Sequence, residues 1–188
     1  MNETIKTIFN RRSVRNYLSE QLKAEELDLI IKAGLSAPSA RNQQSWHFTV
    51  IQNRKVIDDL NKDAKEVLGK MDDEHLQEIA TDENFNIFYN APTIIVISGE
   101  KSATASIVDC SAATQNMNIA AESLNIGTCW IGLVSLLFRS ERVQDWIKLL
   151  ALPEGFDPYY AITLGYKAEE NGQPAPRREN TVSFLKKI

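Results

Sequence analysis

The chain has 188 residues, 43% hydrophobic and 24% charged, and 21 Lys and Arg against 25 Asp and Glu give a formal net charge of −4. That size and balance suit a single domain over residues 1–188, complete alone or completing its core with a partner, and exclude the broad basic face of a general nucleic-acid binder. No uninterrupted apolar run nears the roughly 20 residues of a membrane helix.

The N-terminus, MNETIKTIFNRRS, is polar and lacks the apolar core of a signal peptide, so the expected location is the cytoplasm. Ile5, Ile8 and Phe9 predict a short amphipathic helix capped by Asn2. Arg11-Arg12-Ser13-Val14-Arg15 follows. In an acidic chain, three guanidinium groups and a hydroxyl within five residues suit a phosphate, because arginine binds paired oxygens with a planar donor fork. A solvated basic turn after a helix is the other reading of these residues. The basic clusters are local, and a second pair, Arg177-Arg178, lies near the C-terminus, so a small anionic ligand is expected.

Next, LKAEELDLIIKAGLSAP sets Leu22, Leu27, Ile30 and Ile31 on one helical face, and Pro38 ends the segment. Residues 46–51, WHFTVI, read as a strand. Val56, Ile57, Leu60, Ala64, Val67 and Leu68 recur at helical spacing. The acidic stretch from Asp72 to Asn86 reads as a helix followed by a mobile excursion. TIIVIS, from Thr93, has the continuous apolar character of a strand buried on both faces.

The clearest helix runs from Ser106 to Asn125, roughly 30 Å at 1.5 Å per residue. Ser106 and Asp109 predict a capping box, and Gly127 the left-handed residue past its end. Its many Ala and Ser residues fit a helix packed on all sides or one at a subunit interface. Cys129-Trp130-Ile131-Gly132 is a short apolar segment, Val143 to Leu150 a helix, and Tyr159 to Leu164 a last strand. The tail NGQPAPRRENTVSF reads as extended. Strands mixed with helices out of strict alternation predict an α+β fold.

Several chemistries lack their signatures. No GxGxxG follows a strand, and Leu133 and Val134 stand where a P-loop needs Lys and Ser or Thr. Asp72-Asp73-Glu74 reads as a solvated face, and Ser39 and Ser45 have no nucleophile elbow. His47 and His75 lack ligand spacing, and Cys110 and Cys129 make neither a disulfide framework nor a metal cluster. Cys129 has no basic neighbour in the sequence and reads as a buried structural thiol. What remains is a set of polar, flexible points that could hold a flat phosphorylated heterocycle. Guanidinium groups would take the phosphate, an asparagine amide would pair with a ring edge, and a glycine would let backbone approach the ring.

Five motifs then occur in order: residues 11–15; Ala37-Pro38-Ser39-Ala40-Arg41-Asn42-Gln43-Gln44-Ser45-Trp46; Asn90-Ala91-Pro92; Gly127-Thr128-Cys129-Trp130-Ile131-Gly132; and Leu164-Gly165-Tyr166. Together they resemble the FMN-dependent nitroreductase family over nearly the whole chain. The resemblance implies an α+β fold with a central mixed, mainly antiparallel sheet flanked by helices, in an intertwined homodimer with two FMN molecules at the interface. By the same resemblance Arg11, Arg12, Ser13 and Arg15 would contact FMN, Arg11 and Ser13 at the phosphate and Arg15 at the pyrimidine edge. Pro38, Ser39, Ala40 and Asn42 would come from the other subunit. Ile131 and Gly132 would lie against the ring, and Arg177 or Arg178 would return to the phosphate. A further family contact falls near Asn84 and Asn86 without a clear alignment.

This chain departs from the pattern in places. Ser45 stands where proline is frequent, Arg41 would border the substrate pocket, and the chain is short enough that a lid over the flavin would be small or absent. The implied activity is an oxidoreductase using NADH or NADPH to reduce nitroaromatic, quinone or similar small acceptors in ping-pong order. Arg15 would stabilise the negative charge of the reduced flavin, and no catalytic side chain beyond the flavin-positioning ones is implied. Reductive dehalogenation or flavin breakdown on the same scaffold, a non-catalytic flavin-binding module, and a ligand-free structural homodimer are the alternatives.

Overall fold

The apolar run from Thr93 forms one of the two inner strands of the sheet. In the computed structural model, which describes residues 1–185, α1 (Glu3–Asn10), α2 (Ala24–Leu35) and β1 (Trp46–Ile51) come first. They are followed by α3 (Arg54–Gly69), α4 (Glu74–Thr81), β2 (Thr93–Glu100) and α5 (Ser106–Ser123). The chain ends with β3 (Ile126–Ile131), α6 (Val143–Leu149) and β4 (Phe156–Tyr166). Short 3-10 turns cover Ala40–Asn42 and Leu133–Arg139. The four strands form an antiparallel sheet in the order β1-β2-β4-β3. The parallel component is a single bridge, Ser13 to Thr128.

Alternation along β2 sends Ile94 and Val96 into one core and Ile95 and Ile97 into the other. The first core packs Leu60, Phe88 and Trp146 from the α3, α4 and α6 side. A buried carboxylate, Asp63, accepts 2.8 Å from Trp146 Nε1 and is paired with Arg142. The second core packs Ile30 of α2 against Ala113 and Met117 of α5. The sheet is therefore covered by helices on both faces, which is why β2 carries no polar alternation.

Asn2 caps α1, its side-chain oxygen accepting from Ile5 N–H at 3.0 Å. Asp73 does the same for α4, accepting from Leu76 N–H. The structure corrects five expectations. The cap of α5 is Ala105, without a side-chain hydrogen bond, because the Asp109 carboxylate is committed elsewhere. The left-handed residue after α5 is Asn125, at φ 58, and Gly127 already lies in β3. Nor is α5 packed on all sides within one chain, since Ile107 and Val108 are 51% and 64% exposed. The excursion after α4 is tied down: Lys65 Nζ donates to the carbonyls of Asp82 and Phe85, and Ile87 N–H donates to Asn61. The last strand also extends beyond 159–164 at both ends.

Candidate functional site

Leaving α1, the arginine segment runs across the end of the sheet. Val14 N–H donates to Thr128 at 2.8 Å, and Leu18 N–H donates to Tyr166 at 2.9 Å. Two glycines make the approach possible. A Cβ at Gly127 would stand 2.8 Å from Val14 Cγ1, and one at Gly165 would stand 2.9 Å from the Tyr17 ring. Val14 is thereby buried, whereas Ser13 and Arg15 on either side remain exposed. Extended backbone turns alternate side chains to opposite faces, so one apolar anchor presents both flanking polar groups.

The three arginines have different surroundings. Arg12 donates to the carbonyls of Phe9 and Arg11 at 2.6 and 2.8 Å and to Gly172 at 3.2 Å, so it ties the tail to the N-terminal segment. Arg15 lies 5.6 Å from the centre of the Tyr89 ring. A hydrogen bond to Tyr89 is the main cause holding its guanidinium above the ordinary value. Arg11, Ser13 and Arg15 all act on the Cys129 thiol of β3. Burial pushes that thiol up, and Arg15, Ser13 and Arg11 pull the other way. Cys129 is buried as expected, and the fold adds a charge effect that its neighbours in the sequence do not supply.

Arg15, Asn16 and Tyr17 line one side of a cleft of about 230 Å³, and Asn84, Asn86, Tyr89 and Asn90 line the other. Asn84 and Asn86, which the sequence left unaligned, therefore face the arginine segment across it. Tyr17 anchors the floor. Its hydroxyl donates to the Val14 carbonyl and lies 2.7 Å from Thr163 Oγ1, and burial holds it well above the ordinary tyrosine range. Beyond β3, Gly132 is exposed, and a Cβ added there would meet nothing within 4 Å. Its backbone therefore fronts open space, with no side chain of its own in the way.

Residues 38–45 form a separate, tightly turned loop. Arg41, Asn42 and Gln44 all take positive φ, at 53°, 55° and 49°. For side-chain-bearing residues this costs roughly 1–2 kcal/mol each, so the surroundings must hold the turn. Gln44 N–H donates to Ser39 Oγ at 2.9 Å, and Thr104 N–H donates to Gln43 Oε1 at 3.0 Å. Asp109, buried on α5, accepts from Ala40 N–H at 2.9 Å and from Ser45 Oγ at 2.8 Å. Ser45 is 1% exposed, so the position where proline is frequent carries a loop tether here.

In one chain the structure bridges the arginine segment to β3 at Ser13 and Thr128 and ends that strand at Ile131 beside Gly132. Pro38, Ser39, Ala40, Arg41 and Asn42 stay apart on their own loop, and no hydrogen bond links them to the arginine segment among the described residues. Arg177 and Arg178 lie on an exposed tail, and among the described residues neither is bonded to residues 11–15. The tail reaches the segment through Gly172 and through Asn171, which donates to the Asn10 carbonyl and to Glu122. Glu122 is also paired with Lys167 at 3.0 Å, both side chains about nine-tenths buried. Sequence reasoning missed Tyr17, Tyr89 and Asp109. Only Asp109 carried a signal, as an acid in a small-residue helix, and that signal was read as a cap. The donor set around β3 fits a phosphorylated flat ligand: exposed guanidinium and hydroxyl groups, an amide-lined cleft, and open backbone at Gly132.

Among the described residues no helix is long and apolar enough to cross a membrane. A model of the Nitroreductase family matches residues 8–166. The chain is similar to a nitroreductase of Bacteroides fragilis solved with bound FMN, at 34% identity and a TM-score of 0.92, over 98% of this chain and 100% of the other. A nitroreductase of Desulfitobacterium hafniense with bound FMN gives 28% identity and a TM-score of 0.91, over 98% and 99%. An FMN reductase [NAD(P)H] of Bacillus subtilis is 30% identical over 182 residues, 92% of this chain and 69% of the relative.

Proposed function

The chain belongs to the nitroreductase family, and from that premise we propose that it is an FMN-dependent oxidoreductase drawing electrons from NADH or NADPH to reduce nitroaromatic, quinone or similar small acceptors. The observation that carries this reading is the attachment of the arginine segment to β3, through the Ser13–Thr128 bridge and the Val14 N–H to Thr128 hydrogen bond, on the strand that ends beside Gly132. FMN, when bound, supplies the two-electron chemistry between donor and acceptor.

The chain's own residues bind and orient. Arg11 and Ser13 hold the phosphate through charge-assisted hydrogen bonds. Arg15, steadied by Tyr89, presents positive charge to the pyrimidine edge, where negative charge rises on reduction. Ile131 and Gly132, at the end of β3, would flank the ring of a bound flavin. Pro38, Ser39, Ala40 and Asn42 come from the second subunit of a homodimer, with Arg41 at the rim of the acceptor pocket. That assignment agrees with their separation from the arginine segment within one chain. Arg177 or Arg178, on the exposed tail, adds a further phosphate contact, and Arg12 ties that tail to the N-terminal segment at Gly172. The location proposed is the cytoplasm.

The test is flavin retention. Purified protein is expected to be yellow, to release FMN on denaturation, and to oxidise NADH or NADPH steadily with a quinone present. Arg11→Ala or Ser13→Ala should each weaken FMN binding about tenfold, read by fluorescence quenching during reconstitution. Wild-type flavin content in both variants would remove the phosphate assignment. Bound FMN without turnover on any nitro, quinone, halogenated or flavin substrate would favour a binding module instead.

A further inference from the structure

The loop that carries residues 38–42 does not hold its own place. Gln44 N–H to Ser39 Oγ, Asn42 N–H to the Ser39 carbonyl and Gln43 N–H to the Ala40 carbonyl are all internal to it. They set its shape and leave its position on the body free. Three of its residues carry side chains in the left-handed region, where Cβ crowding favours relaxation. Among the described residues its hydrogen-bonded links to the rest of the chain are Thr104 N–H to Gln43, Glu100 N–H to the Ser45 carbonyl, and the Asp109 carboxylate. Of these acceptors Asp109 takes two loop donors at once, one on each oxygen, at 2.9 and 2.8 Å.

Asp109 is 3% exposed and stands in the first turn of α5, the longest helix of the fold. A carboxylate there is favoured by the positive end of the helix dipole, and two donors compensate its burial. Its anchor on a rigid, core-packed helix transmits that position to the loop. Ala40 N–H, the bonded amide, lies between Ser39 and Arg41, so the tether acts at the centre of the loop's proposed contacts.

Resting on the flavin reading above, we infer that Asp109 is a positioning residue: its two oxygens hold residues 38–42 where the second subunit's cofactor needs them. The role is geometric, and the conservative variant can separate it from a role of charge. Asn at 109 keeps one oxygen for Ala40 N–H and can donate its amide to Ser45 Oγ, because a hydroxyl works in either direction. Asp109→Asn with Ser45→Ala removes the second link and leaves an amide unpaired.

The experiment compares wild type, Asp109→Asn and the Asp109→Asn/Ser45→Ala pair. Two readouts are used: FMN titration of the deflavinated full chain, and hydrogen exchange of the Ala40 amide without flavin, with β2 amides as the folding control. Asp109→Asn should bind FMN within about threefold of wild type, and the pair should bind about tenfold more weakly. Ala40 exchange should quicken about tenfold in the pair while β2 protection is kept. Wild-type affinity and Ala40 protection in the pair would overturn the inference. So would Asp109→Asn alone losing as much as the pair, because charge and not geometry would then be at work. Wild type that binds no FMN would overturn the flavin reading. The Ala40 exchange would still report the tether, so the two failures are distinguishable.

Discussion

The layer of α3, α4 and α6 and the layer of α1, α2 and α5 cover opposite faces of one sheet, and they differ in what they turn outward. Among the described residues of the first layer, Leu149 is the large apolar side chain left exposed. The second layer exposes Ile5, Ile8 and Phe9 on α1 and Ile107 and Val108 on α5. A groove of about 740 Å³ runs between these helices, with Ile8, Ala33, Ile119 and Ala120 in its lining. Several exposed apolar side chains on neighbouring helices suit an interaction face, whereas a single one is ordinary. One layer is finished by its own chain. The other agrees with the homodimer proposed above, and it also anchors, through Asp109, the loop assigned to the partner's cofactor.

The largest expected effect belongs to the finished layer. Leu60 is fully buried there, and Leu60→Ala should cost about 2–5 kcal/mol of stability. Urea unfolding would read it as a lowered midpoint whose shift does not vary with protein concentration. A concentration-dependent shift would mean that this face, too, is completed by a partner, and the contrast between the layers would be lost.

A smaller effect on the fold, with a larger one on assembly, is expected from the open layer. Ile107→Asp or Val108→Asp changes an exposed residue, so the monomer's stability should move by about 0.5 kcal/mol or less. Sedimentation should show loss of the dimer, and flavin should leave with it, because each proposed site draws on two chains. A dimer of unchanged strength would assign the apolar face to some other role. Flavin held tightly by the monomer would remove the shared site.

An effect confined to alkaline solution sharpens the comparison through pH. Burial first, and then the charge of Asp109, pushes the Cys110 thiol from near 9 up to about 12. The folded chain therefore keeps its thiol proton where the unfolded chain has lost it. Stability from this group is full below about pH 9 and falls as pH rises toward 12. Thermal melts between pH 8 and 11 should show that fall, and Cys110→Ala should flatten it. An unchanged slope would place the alkaline sensitivity elsewhere, with Tyr17 the next buried group to test.

Much of the scaffold was legible because it depends on local pattern. WHFTVI became β1 without a change of boundary, TIIVIS became the doubly covered strand, and Asn2 capped the first helix as its residue type requires. The arginine segment was visible as a charge cluster, though not the sorting of its members. Arg12 turns to backbone carbonyls, while Arg15 stands against the Tyr89 ring. The end of the long helix was misread because Asn125 takes the left-handed turn that glycine takes more often.

By itself, then, the sequence determined the strands, most helices, the α+β class and the polar motifs from which a cofactor site is proposed. Hydrophobic period and residue propensity act over a few positions and are written in neighbouring letters. Tertiary structure alone decided which groups meet across the fold: Asp109 with Ala40, 69 positions away, Arg15 with Tyr89, and Tyr17 with Thr163. Such pairs follow from how the layers stack on the sheet, and the stacking is settled by the packing of the whole core, which no single stretch of the chain encodes.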